Sequence, residues 1–91
     1  MKLLTEDELG AGLKRAPGWV VEGKTLVRTR TFADFVEAMR FVNATAEIAE
    51  AMGHHPDLDI RYNKVKLSLT THDAGGITDL DLLLAERLGA L

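Results

Sequence analysis

The chain has 91 residues, no cysteine, a formal charge of −3, and 46 % hydrophobic against 27 % charged residues. That length suits one domain spanning residues 1–91 around a single core, and the composition excludes a disulfide framework, a cysteine metal centre and an intrinsically disordered chain. The acidic balance argues against a nucleic-acid binder, which needs a concentrated basic surface, and the absence of a signal-like or membrane-spanning apolar run makes the cytoplasm the expected compartment.

At the start, Thr5 stands three residues before Glu8, and Leu4 and Leu9 have the spacing of a hydrophobic staple. A short helix from about Glu6 to Leu13 follows, weakened by Gly10 and Gly12. Pro17-Gly18 breaks the chain, and Trp19-Val-Val-Glu and Thr25-Leu-Val-Arg-Thr-Arg flank Gly23-Lys24 as a hairpin with a II′ turn. Arg28 and Arg30 alternate along its second strand and read as a solvated face. From Ala33 to Met52, Phe35, Ala38, Met39, Val42, Ala46, Ala49 and Met52 recur at three- and four-residue steps. This predicts the longest helix, started by Thr31 with Asp34 and ended by Gly53.

Leu58, Ile60 and Tyr62 alternate with polar residues, as do Val65, Leu67, Leu69 and Thr71. Two strands are therefore expected around a turn at Asn63-Lys64, with His72 ending the fourth strand. Beyond Gly75-Gly76, Thr78 and Asp81 cap a last helix whose stripe is Leu80, Leu83, Leu84 and Leu88. The order α-β-β-α-β-β-α implies an α+β fold: one four-stranded antiparallel sheet with helices packed on one face.

The chemistry-bearing residues gather at element ends. His54 and His55 follow the long helix, Pro56 forbids helical continuation and holds His55 extended, and His72 ends a strand. Imidazoles titrate near neutral pH, so two or three around one pocket can move protons without a metal. Carboxylates to orient them are available in Glu50, Asp57 and Asp81. Glu50, in the last turn of its helix, is disfavoured by the macrodipole and calls for a partner such as an imidazole. Structural roles are open as well: Asp81 as a capping acid, Glu50 as a solvated side chain, His72 as a strand end and His54-His55 as a polar helix terminator. A zinc site is a third option, but HExxH spacing is absent and adjacent histidines are poorly directed at one tetrahedral ion. No GxSxG, phosphate loop or dinucleotide fingerprint is present.

Glu50-x-x-x-His54-His55-Pro56, Tyr62-Asn63-x-Val65, Leu69-Thr70-Thr71-His72-Asp73 and Gly75-Gly76-Ile77-Thr78-x-x-Asp81-x-x-Leu84-Ala85 together resemble the pterin-4a-carbinolamine dehydratases. Gly18-Trp19 and Phe32-x-x-Phe35 extend the resemblance over nearly the whole chain. It implies an α+β subunit assembled into a homodimer or homotetramer that dehydrates 4a-hydroxytetrahydropterin to quinonoid dihydropterin in tetrahydropterin recycling, with no metal or organic cofactor. The family's active-site histidines fall on His54, His55 and His72, with Glu50, Pro56 and Asp81 binding or orienting groups. Many members carry an aromatic residue where this chain has Leu58, a difference that bears on how the pterin ring is held. The alternative function within this resemblance is a non-catalytic binding module, a dimerisation cofactor of a transcription factor or an assembly factor. Retention of all three histidines favours the enzyme.

Overall fold

The α-β-β-α-β-β-α order read from the patterning is the order of the folded chain in a computed structural model, which describes residues 2–91. The elements are α1 (Glu6–Leu13), β1 (Val20–Glu22), β2 (Thr25–Thr31), α2 (Phe35–Met52), β3 (Asp57–Arg61), β4 (Lys64–Leu69), a single 3-10 turn (His72–Ala74) and α3 (Asp79–Leu88). At the start of α1, Glu8 N–H donates to Thr5 Oγ1 and Thr5 N–H to Glu8 Oε1, the reciprocal capping box that their three-residue spacing allows. The Thr5 backbone bond, more than its hydroxyl, holds the Glu8 carboxyl below its usual range. A depressed carboxyl stabilises the folded state above the unfolded group's pKa, so this contribution is lost as pH falls through the folded value.

All strand pairs are antiparallel, in the order β1-β2-β4-β3. Paired residues share a face, which places Leu26 with Leu69, Arg28 with Leu67 and Leu58, and Arg30 with Val65 and Ile60 on one side. That side meets the helices, and Trp19, Leu26, Val65, Leu67 and Leu69 join Ala38, Phe41, Leu84, Ala85 and Leu88 in one core. Thr29, Lys64, Lys66, Asp59 and Arg61 lie on the opposite, open face and are exposed.

Several local expectations shift. Arg28 and Arg30 are half-buried on the helix side, not on a solvated face. The Arg30 guanidinium lies 4.9 Å from the Phe41 ring centroid and 5.5 Å from that of Phe32, so its planar cation is packed on aromatic faces. Thr31 completes the β2 ladder opposite Lys64, and Asp34 alone caps α2, accepting from Glu37 N–H at 2.9 Å. The buried stripe of α2 is Ala38, Phe41, Val42, Thr45 and Ala49; Phe35 and Ala46 are exposed. Thr45 reads as polar in a sequence, yet its short branched side chain fills a fully buried position.

The β3–β4 turn is Tyr62-Asn63, one residue earlier than expected, with Tyr62 at φ +53. Asn63 is needed there because it exchanges backbone and amide bonds with Phe32. In α3 the inward residue is Leu82, 5 % exposed, in place of Leu83, 40 % exposed. Finally, β4 ends at Leu69, and His72 belongs to the 3-10 turn. Thr71 leaves the ladder because its backbone pairs with Gly76 and its side chain turns toward α3.

Candidate active site

Two chain reversals build the site. Gly53 ends α2 in the left-handed conformation, φ +63, which suits glycine because no Cβ opposes it. Its N–H bonds to Ala49 O and Glu50 O, and His54 N–H also returns to Ala49 O. The two histidines are thereby held against the last turn of α2, with Pro56 leading directly into β3. On the other wall, Thr71 N–H donates to Gly76 O at 2.9 Å and closes a small loop that carries His72 and Asp73. Between these reversals lies an open cleft of about 410 Å³, lined by residues that include His54, His55, Pro56, Asp57, His72 and Asp73.

His54 is the deepest of the three rings, its side chain 11 % exposed, and its Nε2 is 2.6 Å from Oδ1 of the wholly buried Asp81. Oδ2 of the same carboxylate accepts Thr78 N–H at 2.9 Å and Thr71 O–H at 2.8 Å. An ionised carboxylate only accepts, so Nε2 is the donor at this contact, and Nδ1 is the ring nitrogen that Asp81 does not engage. A buried carboxylate is tolerable here because three donors replace its lost water. His55 makes a more open pair, its Nε2 2.8 Å from Glu50 Oε2, with both side chains largely exposed. Glu50 thus finds the imidazole partner its position calls for. His72 is exposed on the opposite wall.

The structure therefore brings all three candidate histidines and Pro56 to one cleft. Asp81 and Glu50 stand behind His54 and His55 as their hydrogen-bond partners. Asp57 also lines the cleft and makes no bond to a ring among those found in the described residues. Leu58 is on the helix side of the sheet, opposite Leu67 and packed against the core, so it does not line the cleft. Thr71 stood in the sequence only as a strand position and part of a motif, with no role of its own; the signal was its place immediately before His72, but a hydroxyl aimed at a residue ten positions away has no local signature. Among the described residues no group of three or more His, Cys, Asp or Glu side chains is arranged to hold a metal ion. No described helix is long and apolar enough to cross a membrane. This geometry offers one imidazole held by a buried carboxylate and two more accessible ones, a set able to accept a proton at one point of a bound molecule and donate one at another.

Comparison with known proteins gives the family. The family profile described as "Pterin 4 alpha carbinolamine dehydratase" matches residues 2–91. A Thermomicrobium roseum protein provisionally named pterin-4-alpha-carbinolamine dehydratase is 52 % identical over 91 residues, covering 100 % of this chain and 98 % of its own. A Sulfurisphaera tokodaii protein with the same provisional name is 50 % identical with the same coverage. Among solved structures, a Brucella melitensis transcriptional coactivator/pterin dehydratase superposes with a TM-score of 0.90 at 37 % identity, covering 96 % of this chain and 95 % of its own. A pterin dehydratase-like protein described as a RuBisCO assembly factor of the alpha-carboxysome shares the fold at a TM-score of 0.69 and 23 % identity, over 84 % of this chain and 90 % of its own. The profile match over nearly the full length and the half-identical relatives place this chain in the pterin-4-alpha-carbinolamine dehydratase family.

Proposed function

We propose that the protein dehydrates a 4a-hydroxytetrahydropterin to the quinonoid dihydropterin, as a step of tetrahydropterin recycling, using its histidines as acid and base. In this reaction the C4a–O bond breaks, the leaving oxygen takes a proton and departs as water, and N5 loses its proton as the C4a–N5 double bond forms. The observation that carries the reading is the convergence of the Asp81-backed His54, the Glu50-paired His55 and His72 on one cleft. His54 receives the N5 proton at Nδ1, and the Asp81 carboxylate stabilises the imidazolium that results. His72, as imidazolium, protonates the leaving oxygen from the facing wall. His55 binds and orients the pterin. Positioned acid–base help of this kind contributes roughly 100- to 10,000-fold.

The test is an assay with carbinolamine generated in place, following quinonoid dihydropterin by absorbance. Acceleration over the uncatalysed reaction is expected, and it should persist in the presence of a chelator. A wild-type protein that leaves the spontaneous rate unchanged sinks the enzymatic reading. Loss on chelation with rescue by zinc sinks the purely acid–base one. The second reading is a binding module, a dimerisation cofactor of a transcription factor or an assembly factor. It draws support from the coactivator description of the Brucella neighbour. Wild-type inactivity would make it the better account.

A further inference from the structure

Thr71 precedes the 3-10 turn as its N-cap residue, yet its side chain makes no capping bond to that turn. Instead Oγ1 lies 2.8 Å from Asp81 Oδ2 and 2.8 Å from Thr78 Oγ1. A hydroxyl has one proton, and an ionised carboxylate has none to offer. If Thr71 gave its proton to Thr78, its lone pairs would face those of Oδ2 at hydrogen-bond distance, a repulsive contact inside a buried network. The proton order is therefore set: Thr78 O–H donates to Thr71 Oγ1, and Thr71 O–H donates to Asp81 Oδ2. Thr78 N–H occupies the same oxygen at 2.9 Å. With Oδ2 taken by two donors, Oδ1 is the oxygen left for His54.

We infer that Thr71 is a positioning residue that acts through Asp81 to hold His54 in the tautomer protonated at Nε2, with Nδ1 free to take a proton. As a step in catalysis this rests on the dehydratase reading; as a statement about the His54 ring it does not. Thr78 and Asp81 are both fully buried and depend for these bonds on Thr71, which is half-buried at the wall of the cleft. Without its hydroxyl, Oδ2 is short of a donor and the Thr78 proton loses its acceptor, and an under-satisfied buried carboxylate no longer aims Oδ1 at one ring nitrogen.

Two substitutions separate this role from packing. Thr71→Val keeps the shape and loses the hydroxyl, whereas Thr71→Ser loses the methyl and keeps the hydroxyl. If Thr71 only filled space, Val would be the milder change. The inference expects the reverse: kcat about 10- to 100-fold lower in Thr71→Val with KM within about threefold, and Thr71→Ser within about threefold of wild type in both. The second readout needs no activity. Ring ¹⁵N shifts of His54, recorded with the ring neutral, should report protonation at Nε2 in wild type and Thr71→Ser, and a tautomer mixture in Thr71→Val. Thr71→Ala, which cannot overpack, must repeat the mixture and covers the case in which the valine variant does not fold. An unchanged His54 tautomer in the folded Val or Ala variant overturns the inference whether or not the protein is a dehydratase. A wild-type protein inactive on carbinolamine, with the tautomer change still seen, would refute the dehydratase reading and leave the positioning role standing.

Discussion

At Asp81 two demands fall on one carboxylate: Oδ2 accepts the Thr78 amide at the start of α3, while Oδ1 holds the imidazole of His54. The sequence makes the first demand visible, because Thr78 and Asp81 have capping-box spacing. The second joins residues 27 positions apart, and no local pattern encodes it. The same holds for the roles of the histidines. Their types and their places beside Gly53-His54-His55-Pro56 were legible, but their differing burial, which separates a ring fixed by Asp81 from one open to solvent, arises only from packing. That difference suggests distinct kinetic signatures. His54→Ala and His72→Ala should each lower kcat by roughly 10- to 1,000-fold with a smaller change in KM, because proton transfer belongs to the transition state. His55→Ala should mainly raise KM. Steady-state kinetics on the three variants, with circular dichroism to verify folding, decides the assignment, and wild-type kcat in all three would remove them from the mechanism.

Helices and strands followed from periodicity wherever apolar residues repeat, and slipped where one residue serves two neighbours. Asn63 serves the turn and also Phe32, so the hairpin closes a residue early. In α1 the sequence shows two glycines that look equally weakening, and only packing distinguishes them. Gly10 is exposed and a Cβ there would meet nothing, whereas Gly12 is buried and a Cβ would overlap the side chain of Leu82. Gly12 is therefore what lets α1 approach α3. Gly10→Ala should stabilise the fold by roughly 0.5–1 kcal/mol through helix propensity. Gly12→Ala should destabilise it, since displacing the core residue Leu82 costs about 1–3 kcal/mol of overpacking, more than the propensity gain. Urea unfolding of the pair provides the check; equal and favourable shifts would mean that Leu82 moves aside freely.

For the molecule as a whole, the order of elements, the antiparallel sheet and the single helical layer were all legible, because layer architecture depends on which face of each element is apolar. The strand order β1-β2-β4-β3 was not, since period-two patterning says which side of a strand is buried and not which strand lies beside it. This order leaves β1 and β3 as sheet edges, and Val20, Phe35, Val36 and Tyr62 are exposed apolar or aromatic residues. A chain of 91 residues has a narrow folding margin of its own. Both considerations favour self-association into a homodimer or homotetramer. Light scattering at micromolar concentration should give a mass at least twice 10.0 kDa, and a strictly monomeric species would refute the expectation.

The bond from Thr71 N–H to Gly76 O closes the neck of the loop that carries His72, and the same residue supplies the hydroxyl to Asp81. A fluctuation that opens this neck would therefore dislocate the facing histidine and break the carboxylate network in a single event. Amide hydrogen exchange at Thr71 thus becomes a gauge of how often the pocket comes apart, separate from global unfolding. Any ligand spanning the cleft should slow that exchange in proportion to its occupancy, so its binding could be followed at one amide without turnover.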